Sequence, residues 1–190
     1  MVDNSFFTIY TIYVNVFTKG VIMPKIIENL ESRLIKEAEK QIMESGYGAM
    51  TIRSVAKACG VGVGTVYNYF PSKEALVAIH LLEDWKQCIT AIQAVGAYAE
   101  GPRSVSRCIY DQLVSFAGRH QAIFRDEAAA ASFAGSFGGY HQMLRGQLAQ
   151  PLRRFCGSDF AADFIAESLL TWTMAGKTFD EIYGMIEKLF

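Results

Sequence analysis

Between Tyr47 and Lys73 the chain carries three cations, Arg53, Lys57 and Lys73, and no carboxylate. The same stretch holds Thr51, Thr65, Tyr67, Asn68 and Tyr69, a recurring supply of hydroxyl, phenol and amide groups. Positive charge without acids, interleaved with neutral donors and acceptors, suits a polyanion whose phosphates are met by charge and whose bases are met by hydrogen bonds. By contrast, Ser158 to Phe190 carries six acids against Lys177 and Lys188 and is no such surface. The overall charge of −1 conceals this asymmetry.

The elements around the cationic stretch read as helices. Ile27, Leu30, Leu34, Ala38 and Ile42 recur at three- and four-residue steps with charged residues between them, an amphipathic helix that Gly46 stops. Thr51 stands at an N-cap position before a helix of about two turns, with Ile52, Val55, Ala56 and Cys59 on one face and Arg53, Ser54 and Lys57 on the other. Gly60, Gly62 and Gly64 mark a tight turn into a short helix over about Val63 to Tyr69. At 100° per residue Val63, Val66, Tyr67 and Phe70 share one side, and Gly64, Thr65, Asn68 and Tyr69 the other. Pro71 and Ser72 restart the chain into a long helix reaching Tyr98, on the order of 40 Å. A helix-turn-helix makes these demands: its first helix crosses the phosphate backbone and its second enters the major groove. Gly64 permits close approach, Thr65, Asn68 and Tyr69 offer donors and acceptors, and Lys73 pairs a cation with a helix N-terminus. From periodicity alone, an ordinary helical hairpin inside a core satisfies the same pattern.

Residues 51–76, TIRSVAKACGVGVGTVYNYFPSKEAL, closely resemble the DNA-binding signature of the TetR family of transcriptional regulators, and the helix containing Arg33, Ala38 and the Gly46–Tyr47 end resembles that family's opening helix. The resemblance covers about Glu28 to Trp85. It implies an all-α homodimer with a three-helix N-terminal DNA-binding domain, joined by a long helix to a helical ligand-binding and dimerisation domain. It also implies a repressor that binds a palindromic operator in double-stranded DNA and is released by a small-molecule effector; activation within the same family and protein–protein recognition by the helix-turn-helix are the alternatives. Carried over residue by residue, Thr51 caps the second helix and touches phosphate, and Thr65, Tyr67, Asn68, Tyr69 and Lys73 contact the operator. Two positions depart from the family pattern: Gly62 stands where Ser or Thr usually caps the recognition helix, and Val63 where a polar or basic residue is common. Loss of the cap to glycine costs only a few tenths of a kcal/mol. A base contact at position 63 is reduced to a thymine methyl.

Composition bounds the remainder. The chain has 190 residues, 51% apolar and 13% aromatic, enough for a self-sufficient core and too apolar for a disordered chain, while four prolines and no glycine period exclude a collagen-like fibre. The expected division is an N-terminal extension over 1–23, a helix-turn-helix domain over 24–72 and a helical ligand-binding and dimerisation domain over 73–190. Phe6 to Phe17 is too short for a membrane span and lacks the flanks of a signal peptide, and Met23–Pro24 reads as a natural start. Beyond Gly101–Pro102, helices are expected at about Ser104–Gly118, Gln121–Ala131, Phe137–Phe155, Asp159–Ala175 and Thr178–Leu189. Phe116, Phe124, Phe133, Phe137, Tyr140, His141 and Trp172 are candidates to line a pocket for an apolar or aromatic effector. Phe160, Phe164, Leu169, Trp172, Phe179, Ile182, Tyr183 and Ile186 are candidates for the dimer interface. Cys59, Cys88, Cys108 and Cys156 form no metal-ligand spacing and read as reduced thiols of a cytoplasmic protein. No metal, cofactor or membrane partner is expected. Nothing resembling G-x-S-x-G, H-E-x-x-H, C-x-x-C or a P-loop occurs, so the chain is not read as an enzyme.

Overall fold

The computed structural model describes residues 29–133, the backbone of 137–140 and all of 141–190. The expected N-terminal extension over 1–23 and the opening turn at Pro24 lie outside these residues. Every regular element among the described residues is helical: α1 Leu30–Ser45, α2 Ile52–Ala58, α3 Val63–Tyr69, α4 Lys73–Tyr98, α5 Pro102–Arg119, α6 Gln121–Phe124, α7 Glu127–Phe133, α8 Phe137–Ala149, α9 Asp159–Met174 and α10 Phe179–Ile186. Short 3-10 segments follow α8 at Gln150–Phe155 and α10 at Glu187–Leu189. None of these helices is long and apolar enough to cross a membrane.

Local chemistry sets the boundaries. The α1 stripe of Leu30, Leu34, Ala38 and Ile42 is buried, and the helix ends at Gly46, which adopts φ +83° while its N–H bonds the Ile42 carbonyl. Thr51 caps α2 through a reciprocal box with Ser54, and Ser72 caps α4 by accepting from the Ala75 N–H. Thr178 and Glu181 form a second box at the start of α10.

Two expected helices are broken. Gln121–Ala131 divides into α6 and α7 because the Asp126 carboxylate accepts from the N–H groups of Ala128 and Ala129, starting a new helix. Phe137–Phe155 divides because Pro151 has no N–H to continue the α pattern, and the chain tightens into a 3-10 segment.

The buried residues form two clusters. One joins α1, α2, α3 and the start of α4, centred on Leu34, Val55, Val66, Phe70 and Leu76, and it also takes in Ile123 of α6 and Ala129 of α7. The other lies among α4, α5, α8, α9 and α10, around Ile92, Ile109, Leu148, Ile165, Leu169 and Ile182. The α4 helix belongs to both, contributing Leu76 and Val77 to the first and Trp85 through Ile92 to the second.

Polar groups are buried where the clusters meet. His120, at the end of α5, is enclosed, with Nε2 3.0 Å from Asp84 Oδ2, and the same carboxylate oxygen accepts from Arg119 Nε at 2.9 Å. Its ring lies edge-on to His80, 5.0 Å away, and to Phe116, 4.6 Å away. Burial, then the charge of His80, holds the imidazole below the ordinary histidine range, opposed by Asp84.

Two expectations follow. Gly46→Ala should lower stability by about 1–2 kcal/mol, because a Cβ at positive φ is strained; the new Cβ would also sit 3.3 Å from Asp126 Oδ2. A urea transition that does not move would contradict this. For His120 the unfolded chain takes up its proton before the folded one, so the unfolded state binds more protons as the solution acidifies. Stability from this group is therefore complete above its ordinary value of about 6.5 and falls as pH drops through its lowered folded value. Urea midpoints measured between about pH 5 and pH 7 should fall more steeply in the wild type than in His120→Gln.

Candidate nucleic-acid interface

The candidate surface is assembled by two short helices packed on the first core, α2 being held also by a bond from α1. At the N-terminus of α2, Thr51 Oγ1 accepts from the Ser54 N–H at 3.0 Å while Ser54 Oγ accepts from the Thr51 N–H at 3.1 Å. At its other end Arg33 of α1 donates from Nη2 to the Cys59 carbonyl at 2.8 Å. Gly60 then takes φ +71°, and the Val61 N–H returns to the Ala56 carbonyl at 3.0 Å, closing the helix in the manner of a Schellman turn. The following turn is thus fixed from both sides.

Gly62 begins α3 with extended backbone and no side-chain cap, as its lack of a side chain requires. Val66 and Phe70 are fully buried, and Val63 and Tyr69 pack against the same core. A Cβ built on Gly64 would meet nothing within 4 Å, Asn68 is exposed, Thr65 is half-buried and Tyr67 is 49% exposed. The outward face is therefore Gly64, Tyr67 and Asn68, with Thr65 at its edge. Face arithmetic put Tyr67 inward and Tyr69 outward, and the structure exchanges them. Phe70 leaves the helix at φ −132°, ψ 110° and is buried from extended backbone, so it does not mark the inward face of α3; measured from the buried Val66, Tyr69 is about 60° away and Tyr67 about 100°.

Arg53 and Lys57 are exposed on α2, as the pattern indicated. Lys73 is turned inward. Its ammonium donates to the Tyr47 carbonyl and lies 4.0 Å from the centroid of the Tyr47 ring, and burial lowers its proton affinity. The sequence placed a cation at the start of α4 but not the aromatic ring that engages it.

The pocket candidates separate. Phe116 meets Phe124 at 5.9 Å, together with Trp85 at 5.4 Å and His120, in an aromatic cluster between α4, α5 and α6. Phe133 belongs to the first core, 6.0 Å from the Tyr47 ring. His141 is exposed and bound to Glu167 at 2.9 Å, and Trp172 is 51% exposed on α9. The side chains of Phe137 and Tyr140 lie outside the described residues. Trp85 and His80 were not singled out from the sequence, because helical spacing alone makes them ordinary core positions.

The interface candidates also divide. Phe160 and Phe164 are 77% and 50% exposed and stand, with Trp172, at multiples of four residues along one face of α9. Met185 adds an apolar group that is 80% exposed on α10. Leu169, Phe179, Ile182, Tyr183 and Ile186 are buried in the chain's own second core, so intramolecular packing already accounts for them. All four cysteines are unpaired, and burial pushes each thiol above its ordinary range, away from thiolate chemistry.

Residues 34–78 match the family described as bacterial regulatory proteins, tetR family. A Bacillus subtilis protein, the HTH-type transcriptional regulator YuxN, is 32% identical over 77 residues, which is 40% of this chain and 26% of that protein's length. Among solved structures, the transcriptional regulator SCO7518 of Streptomyces coelicolor shares 14% identity at a TM-score of 0.65, over 85% of this chain and 98% of its own. Thermus thermophilus FadR, a TetR-family repressor solved with lauroyl-CoA, shares 18% identity at a TM-score of 0.55, over 84% of this chain and 92% of its own. The curated relative thus aligns over a minor part of its own length, whereas the two solved structures share the fold over most of this chain and most of their own. With its signature residues standing on two short helices of an all-α chain, this protein resembles the tetR family of bacterial regulatory proteins over residues 34–78.

Proposed function

We propose that the chain is a ligand-responsive transcriptional regulator that binds a palindromic operator as a homodimer and is released from it by an apolar or aromatic effector. The observation that carries this reading is the outward face of α3. Gly64 leaves room for close approach, Asn68 and Tyr67 present an amide and a phenol, and the buried Val66 and Phe70 hold that face out. In a major groove the Asn68 amide suits adenine N6 and N7, and the Tyr67 phenol suits a base edge or a phosphate. Thr51 and Arg53 at the start of α2 meet the backbone, and Lys73 contributes through the turn it holds at Tyr47.

Dimerisation is assigned to the stripe Phe160, Phe164 and Trp172 with Met185, an apolar surface left over after the second core is filled. A palindromic site follows from a two-fold dimer presenting two copies of α3. The effector site is assigned to the aromatic cluster of Trp85, Phe116 and Phe124, where apolar rings border the buried His120. Lauroyl-CoA, seen with Thermus thermophilus FadR, makes acyl thioesters the first effectors to assay.

Asn68→Ala should cost about 1–3 kcal/mol of operator affinity, concentrated at one base pair of each half-site, as read by affinities across single-base operator variants. An unchanged base preference would remove Asn68 from the reading face. Replacing both Phe164 and Trp172 by Glu should convert a dimer to a monomer in sedimentation while leaving helical circular dichroism intact. A dimer that persists would place the interface elsewhere.

A further inference from the structure

The turn between α1 and α2 is held from outside the helix-turn-helix. Asp126, 78 residues beyond Gly48 in sequence, accepts the Gly48 N–H through Oδ2 at 3.1 Å. Its other oxygen accepts from Ala128 and Ala129 at 2.9 and 3.1 Å, so one carboxylate starts α7 and grips the turn. Packing runs alongside: Ile123 and Ala129 are buried in the core of α1–α3, and Phe133 lies against Tyr47. On the other side, the Tyr47 hydroxyl donates to Glu74 Oε1 at 3.2 Å, and its carbonyl accepts from Lys73. Gly48 stands three residues before the Thr51 cap, so whatever fixes Gly48 fixes where α2 begins and, through it, where α3 lies.

Resting on the nucleic-acid reading above, we propose that Asp126 is a positioning residue for DNA binding: a carboxylate from the α6–α7 segment completes the helix-turn-helix by clamping the Gly48 amide. The role is separable from electrostatics by its sign. A carboxylate beside a surface that binds phosphates opposes binding by charge alone, so removing it should tighten binding if charge were all that mattered. If the clamp matters, removing it should weaken binding despite the lost negative charge.

The test uses the full chain and a duplex that the wild type enriches from a random pool. Asp126→Ser keeps one oxygen to cap α7 but has none left for Gly48. Asp126→Asn keeps the size, and its single amide oxygen serves α7 or Gly48 but not both. Glu127→Gln loses the same charge one residue along, at an exposed position. Binding is compared at a temperature where all four proteins give the same helical circular dichroism, and amide exchange is read at Gly48. Asp126→Ser should bind about tenfold more weakly than the wild type, with Asp126→Asn weakened less, while Glu127→Gln binds equally well or more tightly. Exchange at Gly48 should accelerate in both Asp126 variants and not in Glu127→Gln. Asp126→Ser and Asp126→Asn binding as tightly as Glu127→Gln would overturn the proposal while leaving the nucleic-acid reading intact. Failure of the wild type to enrich any duplex would instead overturn that reading and the proposal with it.

Discussion

A seven-residue helix cannot hold itself together in water, because nucleating a helix costs more than two turns of backbone bonding return. The α3 helix exists because Val66 and Phe70 are withdrawn completely into a core supplied by α1, α2 and α4. Everything else in the N-terminal part serves that burial. The Thr51 box and the Arg33 bond to Cys59 fix α2, the turn at Gly60 sets the angle between the short helices, and α4 closes the core with Leu76 and Val77. Once Val66 and Phe70 are inside, Gly64, Tyr67 and Asn68 face outward without any further interaction to hold them there.

Much of this was legible in the sequence because it depends on local chemistry. Thr51, Ser72, Gly46 and Gly60 act on backbone groups a few residues away, and each stands where its cap or turn occurs. What could not be read depends on partners distant in sequence. Periodicity runs through Asp126 unbroken, and only the carboxylate's bonds to Ala128 and Ala129 end one helix and begin the next. The exchange of Tyr67 and Tyr69 arises because Phe70 stands outside the helix and is buried from extended backbone, so a helical step that includes it misplaces the inward face of α3. Apolar residues in α9 and α10 look alike in sequence whether they face their own core or the outside. Leu169 and Ile182 turned inward and Phe160 and Phe164 outward because α5 and α8 occupy one side only.

The same distant contacts tie the two cores together. The α4 helix contributes to both, the α6–α7 segment packs on the first although it follows α5 in sequence, and His120 with Asp84 and Arg119 fills the seam in polar form. A change in the aromatic cluster around Phe116 therefore has short routes to the helix-turn-helix. One runs along α4 through His80 and Asp84, and another through α6 to Asp126 and Gly48. On the proposed function, these shared contacts are the connection between the effector site and the helix-turn-helix.

The central claim is that the outward face of α3 reads double-stranded DNA as one half of a symmetric pair. It is tested most directly by selecting bound sequences from a random duplex pool with the purified full-length chain, at low and at higher salt. The account predicts enrichment of a palindromic site whose affinity falls steeply as salt rises, because phosphate contacts release counterions. Enrichment of no sequence at either salt concentration, or of a site without two-fold symmetry, would contradict it.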